Sequence, residues 1–168
     1  MPKPFEFCPA CATKLIDGED DEEHHCPSCE RTWYVNAAPT AGAVIFRDGR
    51  ALITKRGTEP EKGKFDIPGG FLEPGEDPIQ GLRREMREEL QIEIDVSMDD
   101  FVHAVPHVYG DEGEFVLSLG FRARLSSGEP KAADDVADIK WVGPDEVDDV
   151  DFAWPHDRDI VRKALSDG

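Results

Sequence analysis

All four cysteines of this 168-residue chain lie within its first thirty positions, as Cys8-Pro-Ala-Cys11 and Cys26-Pro-Ser-Cys29, with fourteen residues between the pairs. Two such knuckles at this spacing can close one tetrahedral zinc site, and in a reducing compartment the clustering favours metal over disulfides. Residues 17–25, between the knuckles, are polar with no apolar period and read as an exposed turn between short strands. His24 and His25 are alternative ligands there, but four thiolates already saturate tetrahedral zinc. The expected role is therefore structural, with no open position on the metal.

The remaining length suits one core with a small satellite module, divided here as a ribbon over residues 1–36 and a main domain over 37–168. No stretch approaches the ~20 apolar residues of a membrane span, and residues 1–6 lack the apolar centre of a secretory leader. Cytoplasm is the default expectation. Asp and Glu number 37 against 19 Lys and Arg, a formal net charge of −18. That charge repels a phosphate backbone, so polymeric nucleic acid is disfavoured as a partner, and its plainest meaning is a solvated acidic surface.

Past a junction at residues 36–39, two β-prone runs, 40–46 and 51–55, flank the turn-prone Arg47-Asp-Gly-Arg50 and predict a hairpin. Pro68-Gly-Gly70 and Pro74-Gly75 mark a loop. Ile79, Leu82, Met86 and Leu90 then recur at helical spacing and predict one helix over 78–90. Strands are expected at 92–96, 101–105, 115–125 and 139–142, and a closing helix at 157–165. This order predicts an α/β fold with a mixed sheet covered by helices on both sides.

On the first helix the apolar residues form a stripe roughly 80° wide, and Glu85, Glu88 and Glu89 fall beside it within roughly 100°. Like charges at these spacings destabilise a helix unless a cation lies among them, and dense hard oxygen ligands suit magnesium or manganese. The alternative is a solvated face with Arg83, Arg84 and Arg87 as ion-pair partners. The surrounding string decides between them. Gly70, five residues, Glu76, seven residues, then Arg84-Glu85-Met86-Arg87-Glu88-Glu89-Leu90-Gln91-Ile92 resembles the Nudix box throughout, except that Gln91 stands where the pattern has glycine. A left-handed helix cap is less comfortable without glycine, but no ligand is lost.

The resemblance implies a Nudix α/β/α sandwich and a metal-dependent phosphoanhydride hydrolase. Glu85 and Glu89 would hold Mg²⁺ or Mn²⁺ with the carbonyl of Gly69. Arg84 would orient carboxylates, Glu76 would brace the loop, and Glu88 would be a further ligand or the base. A further acidic residue from a later loop would be Asp134 or Asp135. Upstream, residues 55–64 carry four basic against two acidic side chains; Arg56 in this segment is a candidate phosphate contact, a solvated loop being the alternative.

A zinc ribbon joined to a Nudix domain resembles the NADH pyrophosphatase branch and relatives acting on FAD or ADP-ribose, and implies hydrolysis to two monophosphates and a homodimer. The Ser-Gln-Pro-Trp-Pro-Phe-Pro-x-Ser signature of NADH pyrophosphatases is replaced here by Phe101-Val-His-Ala-Val-Pro-His107-Val-Tyr109. Nucleoside triphosphate hydrolysis and a non-catalytic nucleotide-sensing module remain alternatives. Trp154 could stack on a base, but anchoring the terminal helix is the plainer role, and packing is likewise the expectation for Phe71, His107 and Tyr109.

Overall fold

The computed structural model describes residues 6–20, 22–110 and 113–166. Residues 1–5, on which the reading against a leader rests, lie outside the described residues, as does Asp21 in the turn between the knuckles. The first strands are short: β1 (Ile16–Asp17), β2 (Glu23–His25) and β3 (Thr32–Tyr34) form an antiparallel sheet in that order. Residues 17–25 are thus not all turn. Their ends are paired strand, and His24 is buried at 4% exposure, because alternation along β2 turns it inward. Cys8, Cys26 and Leu15 form a small core with Cys29 and Trp33 against it.

The second sheet contains β4 (Ala38–Arg47), β5 (Arg50–Arg56), β6 (Phe65–Asp66), β7 (Gly69–Phe71), β8 (Glu93–Asp95), β9 (Phe101–Tyr109), β10 (Glu114–Ser127) and β11 (Val136–Val142). Its main path runs β11-β5-β4-β10-β8, with β6 on β5, β7 on β4 and β9 on β10. The β4–β10 pair is parallel and the others are antiparallel, so the sheet is mixed. The expected hairpin is β4–β5, with Ile45 opposite Leu52.

Alternation along β4 divides the interior into two cores. Ala41, Ala43 and Ile45 face α1 (Pro78–Leu90) and its Leu82, Met86 and Leu90, while Val44 faces α2 (Pro155–Ser166) and its Ile160, Val161 and Ala164. Helices therefore cover both faces of the sheet. Leu82, Met86 and Leu90 are fully buried, and each such side chain contributes about 1.5–3 kcal/mol by leaving water. Helix α1 starts where the sequence signals it: Asp77 accepts from the Ile79 and Gln80 N–H groups, Gln80 reaches back to the Asp77 N–H, and Pro78 takes the first turn. It ends on Gln91 in the left-handed region (φ 57, ψ 36), so the glycine of the family pattern is dispensable here. No described helix is long and apolar enough to cross a membrane.

Candidate active site

The loop before α1 and the helix itself build one wall of a cavity of about 510 Å³. Gly69 is at φ +144, and a Cβ there would meet the Ala41 carbonyl at 2.1 Å, so the β7 backbone lies directly on β4. A Cβ at Gly70 would meet Glu85 Oε1 at 2.4 Å. The two glycines thus let the β7 backbone approach both the sheet and the helix carboxylates.

Arg84 organises this wall. Its Nε and Nη2 donate to the two oxygens of Glu76 at 2.9 Å each, Nη1 donates to Glu85 at 2.7 Å and Glu88 at 3.2 Å, and Nη2 also reaches the Phe71 carbonyl at 3.0 Å. Glu76 also accepts from the Glu73 N–H, and the Arg84 fork holds its carboxyl down at about 2. Glu76 therefore ties the loop to the helix.

Glu89 is buried at 7% exposure and accepts from the Gly69 N–H at 2.9 Å. Burial pushes its carboxyl well above the ordinary range, and the charges of Asp66, Glu85 and Asp135 push it further. Glu85 is raised too, by burial first, with Arg84 opposing and Glu88 and Asp135 adding. Glu85, Glu89, Asp66 and Asp135 thus line one cavity and raise one another's charge cost, although their oxygens do not form a close ligand cluster like that of the cysteines; carboxylate oxygens are the donor type that suits a hard divalent cation. Glu88 stands apart with a half-exposed side chain. Of the two later aspartates, Asp135 is half-buried and within reach of Thr58 at 3.4 Å, while Asp134 is exposed at φ +50; both line the cavity.

Arg56 also lines the cavity, but its guanidinium is already engaged. It donates to Asp66 at 2.8 Å and the Pro60 carbonyl at 2.7 Å, reaches the Tyr109 hydroxyl at 3.5 Å and covers the Trp154 ring at 4.8 Å. Asp66 accepts from Thr54 at 2.6 Å as well. Phe71, His107, Tyr109 and Trp154, expected to pack, all line the cavity. Trp154 does precede α2, but its ring stacks with Tyr109 at 5.4 Å because β9 runs on to Tyr109, past the expected end at residue 105.

Asp66, His156 and Asp157 were missed by the sequence reading. For Asp157 a signal existed: it stands three and four residues before Ile160 and Val161, on the apolar stripe of α2. Asp66 gave none, being a lone aspartate between Phe65 and Ile67 whose partner Arg56 lies ten residues back.

In the small module, Cys8, Cys11, Cys26 and Cys29 bring their sulfurs within 4.8 Å of one another, with Cys8–Cys29 at 3.7 Å and Cys11–Cys26 at 3.5 Å. Sulfurs sharing a zinc ion at ~2.3 Å lie ~3.8 Å apart, so the quartet fits that metal. The cluster contains neither His24 nor His25.

A mixed sheet between helices, with glutamates from one helix set against a glycine-paired strand, is the Nudix arrangement. Residues 37–164 match the NUDIX domain family, and the chain belongs to it. Among its relatives it is 30% identical to an NAD-capped RNA hydrolase of Chromobacterium violaceum over 80% of this chain and 49% of that protein, so it spans about half the relative's length. It is 35% identical to a putative 8-oxo-dGTP diphosphatase of Mycobacterium tuberculosis, over 74% of this chain and 84% of that one. A NUDIX hydrolase from Nitrosomonas europaea shares the fold across 97% of this chain and 92% of its own, with a TM-score of 0.78 at 22% identity.

Proposed function

We propose that the protein hydrolyses the diphosphate link of a substrate in which two phosphates join two organic groups, of the NADH, FAD or ADP-ribose type, releasing two monophosphates. The observation that carries the reading is the convergence of Glu85, Glu89 and Asp135 on one cavity, with Arg84 fixing Glu85 and the Gly69 N–H fixing Glu89. In this reading Glu85 and Glu89, with the Gly69 carbonyl and Asp135, hold Mg²⁺ or Mn²⁺. Bound divalent ions screen the diphosphate, lower the pKa of water and stabilise the leaving phosphate. Arg84 keeps Glu85 in place, and Glu88, the most exposed of the three helix glutamates and held by Arg84 at 3.2 Å, would take a proton from the attacking water. The four cysteines hold a structural zinc.

The aromatic end of the cavity, the ribbon module and the likeness to an NAD-capped RNA hydrolase support a dinucleotide-like substrate. The likeness to an 8-oxo-dGTP diphosphatase favours a second reading, nucleoside triphosphates cleaved with release of pyrophosphate. A hydrolysis screen with magnesium or manganese over NADH, FAD, ADP-ribose and nucleoside triphosphates, with product identification, separates them. Two monophosphates are expected. Turnover of triphosphates alone, with pyrophosphate released, overturns the first reading, and no turnover of any overturns both.

A further inference from the structure

Of the residues assigned above to the cation, Asp135 alone comes from neither α1 nor β7, yet its charge bears on Glu85, Glu89 and Asp66. Three main-chain features fix where it stands. The Lys131 N–H donates to the Leu90 carbonyl at 3.0 Å and the Ala133 N–H to the Glu89 carbonyl at 2.8 Å, which ties its loop to the end of α1. The turn itself is closed by the Val136 N–H on the Ala133 carbonyl at 3.0 Å, with Asp134 in the left-handed region at φ +50. A bulge follows at once: Val136 lies opposite Arg56 and Asp138 opposite Lys55, so Ala137 is extra against β5. Bulges bend a strand and re-aim the residues beside them.

The residues that follow β5 hold Asp135 directly. The Gly57 N–H donates to the Asp135 carbonyl at 2.7 Å, and the Thr58 hydroxyl donates to Asp135 Oδ2 at 3.4 Å. A Cβ at Gly57 would lie 2.5 Å from that carbonyl oxygen and 3.2 Å from its carbon. An unstrained carbon–oxygen contact is near ~3.3 Å, so any larger residue pushes the Asp135 backbone by about 0.8 Å. The atom struck is main chain and cannot swing aside as a side chain would. Gly57 is outside the left-handed region, so the close approach, not the conformation, calls for glycine here.

The segment that carries Gly57 and Thr58 is itself anchored. Arg56 donates its N–H to the Lys64 carbonyl and accepts from the Gly63 N–H, at 2.9 Å each, and its Nε holds the Pro60 carbonyl at 2.7 Å. The loop from 57 to 63 is thus closed at its base and braced across, a firm support for a neighbour.

We propose that Gly57 and Thr58 are positioning residues that act through Asp135, setting where its carboxylate stands relative to Glu85 and Glu89 and so how tightly the site takes a divalent cation. The proposal rests on Asp135 being a cation ligand, as argued above. Partners that orient a ligand are worth about 10–100-fold in metal affinity or activity.

Manganese alone tests this without any substrate. Mn²⁺ is titrated into the purified full chain, free ion is followed by its electron paramagnetic resonance signal, and each variant is melted in parallel. Gly57→Ala should bind Mn²⁺ about 10-fold or more weakly. Thr58→Val, which keeps the shape of an exposed residue and drops its hydroxyl, should bind about 3-fold more weakly, and Thr58→Ser within about 1.5-fold of wild type. In an Asp135→Asn background neither Gly57→Ala nor Thr58→Val should weaken binding further, because the ligand that they place is gone. A merely structural role would lower melting without this dependence on Asp135. Where Gly57→Ala fails to fold, the Thr58 series decides. Wild-type binding in Thr58→Val or in folded Gly57→Ala, Thr58→Ser as weak as Thr58→Val, or undiminished losses in the Asp135→Asn background overturn the proposal, and weakened binding by Asp135→Asn itself then leaves Asp135 standing as a ligand. Full Mn²⁺ affinity in Asp135→Asn overturns the ligand reading and the proposal together. A failed substrate screen touches neither result.

Discussion

Replacing Gly70 by alanine should cut catalysis about 100-fold while leaving the protein folded. The added Cβ would lie 2.4 Å from Glu85 Oε1 and 2.7 Å from its Cδ. An unstrained carbon–oxygen contact is near ~3.3 Å, so the carboxylate must retreat by about 0.9 Å. Glu85 is the end of a flexible side chain and can move, but it then leaves the position set by Arg84 at 2.7 Å. A displacement of about 1 Å in a catalytic constellation costs about 100-fold, or about 2.7 kcal/mol of transition-state stabilisation. Folding is spared: lost unfolded-state freedom returns about 0.4–1 kcal/mol, and Arg84 keeps Glu76 and Glu88. At about 2–4 °C per kcal/mol for a chain this long, the melting temperature should fall by no more than about 4 °C. Gly69→Ala is the contrast. Its Cβ would strike the Ala41 carbonyl at 2.1 Å, fixed backbone, at φ +144, and should cost more than about 3 kcal/mol of stability. The assay pairs kcat/KM under saturating magnesium with thermal melting. Gly70→Ala within about 3-fold of wild-type activity, or melting as low as Gly69→Ala, refutes the reasoning.

Glu89→Gln keeps an oxygen for the Gly69 N–H but is a poor ligand for a hard cation, so activity should drop at least about 100-fold with melting preserved; activity within a factor of about two in steady-state assays counts against this carboxylate. Purified protein should carry about one zinc per chain by elemental analysis, and Cys26→Ser, at a fully buried sulfur, should lose it; equal zinc in the variant removes the ribbon assignment. His156 is buried neutral, so the unfolded chain takes up its proton near 6.5 and the folded chain only at about 4. Its contribution is therefore present above 6.5 and lost as pH falls towards 4, about 2 kcal/mol by pH 5. Denaturant unfolding at pH 8 and pH 5 should show His156→Gln losing about 2 kcal/mol less than wild type; equal losses would mean that His156 is protonated in the fold.

The parts of the site that were legible are contiguous in the chain. Gly69 to Glu89 is one strand–loop–helix passage in which caps, apolar period and carboxylate spacing all point the same way, so even the helix bounds 78–90 can be read directly. The two-residue β6 and three-residue β7 cannot, because neither is long enough to show a period and both exist only by pairing with β5 and β4. The aromatic end is harder still. Trp154 and Tyr109 are 45 positions apart, and their meeting depends on β9 reaching beyond Pro106 and on α2 packing across the sheet. With β9 ended at residue 105, Tyr109 becomes loop and the packing expectation for both rings follows. At Gln91 a weak local preference yields to tertiary fit: the helix end is fixed by Leu90 and Ile92 in the core, and the side chain accepts a left-handed backbone.

The Arg56–Asp66 pair is a buried ion pair in the wall of the cavity. Asp66 raises the carboxyls of both Glu89 and Asp157, so its charge bears on the helix α1 and helix α2 sides of the cavity alike. A bare buried carboxylate there would repel a diphosphate and unsettle both neighbours. Arg56, with its side chain 11% exposed, balances Asp66. Its Nε is held by the Pro60 carbonyl and its face lies on Trp154, with the Tyr109 hydroxyl 3.5 Å from Nη2, so its place in the wall is fixed. The basic residue that the sequence offers as a phosphate contact thus also balances a buried carboxylate in the cavity wall. It also holds the aromatic wall, through the Tyr109 hydroxyl and the Trp154 ring. On the proposed reading, substrate choice would rest on contacts outside the motif that identifies the family, so relatives with the same helix glutamates can differ in what they cleave.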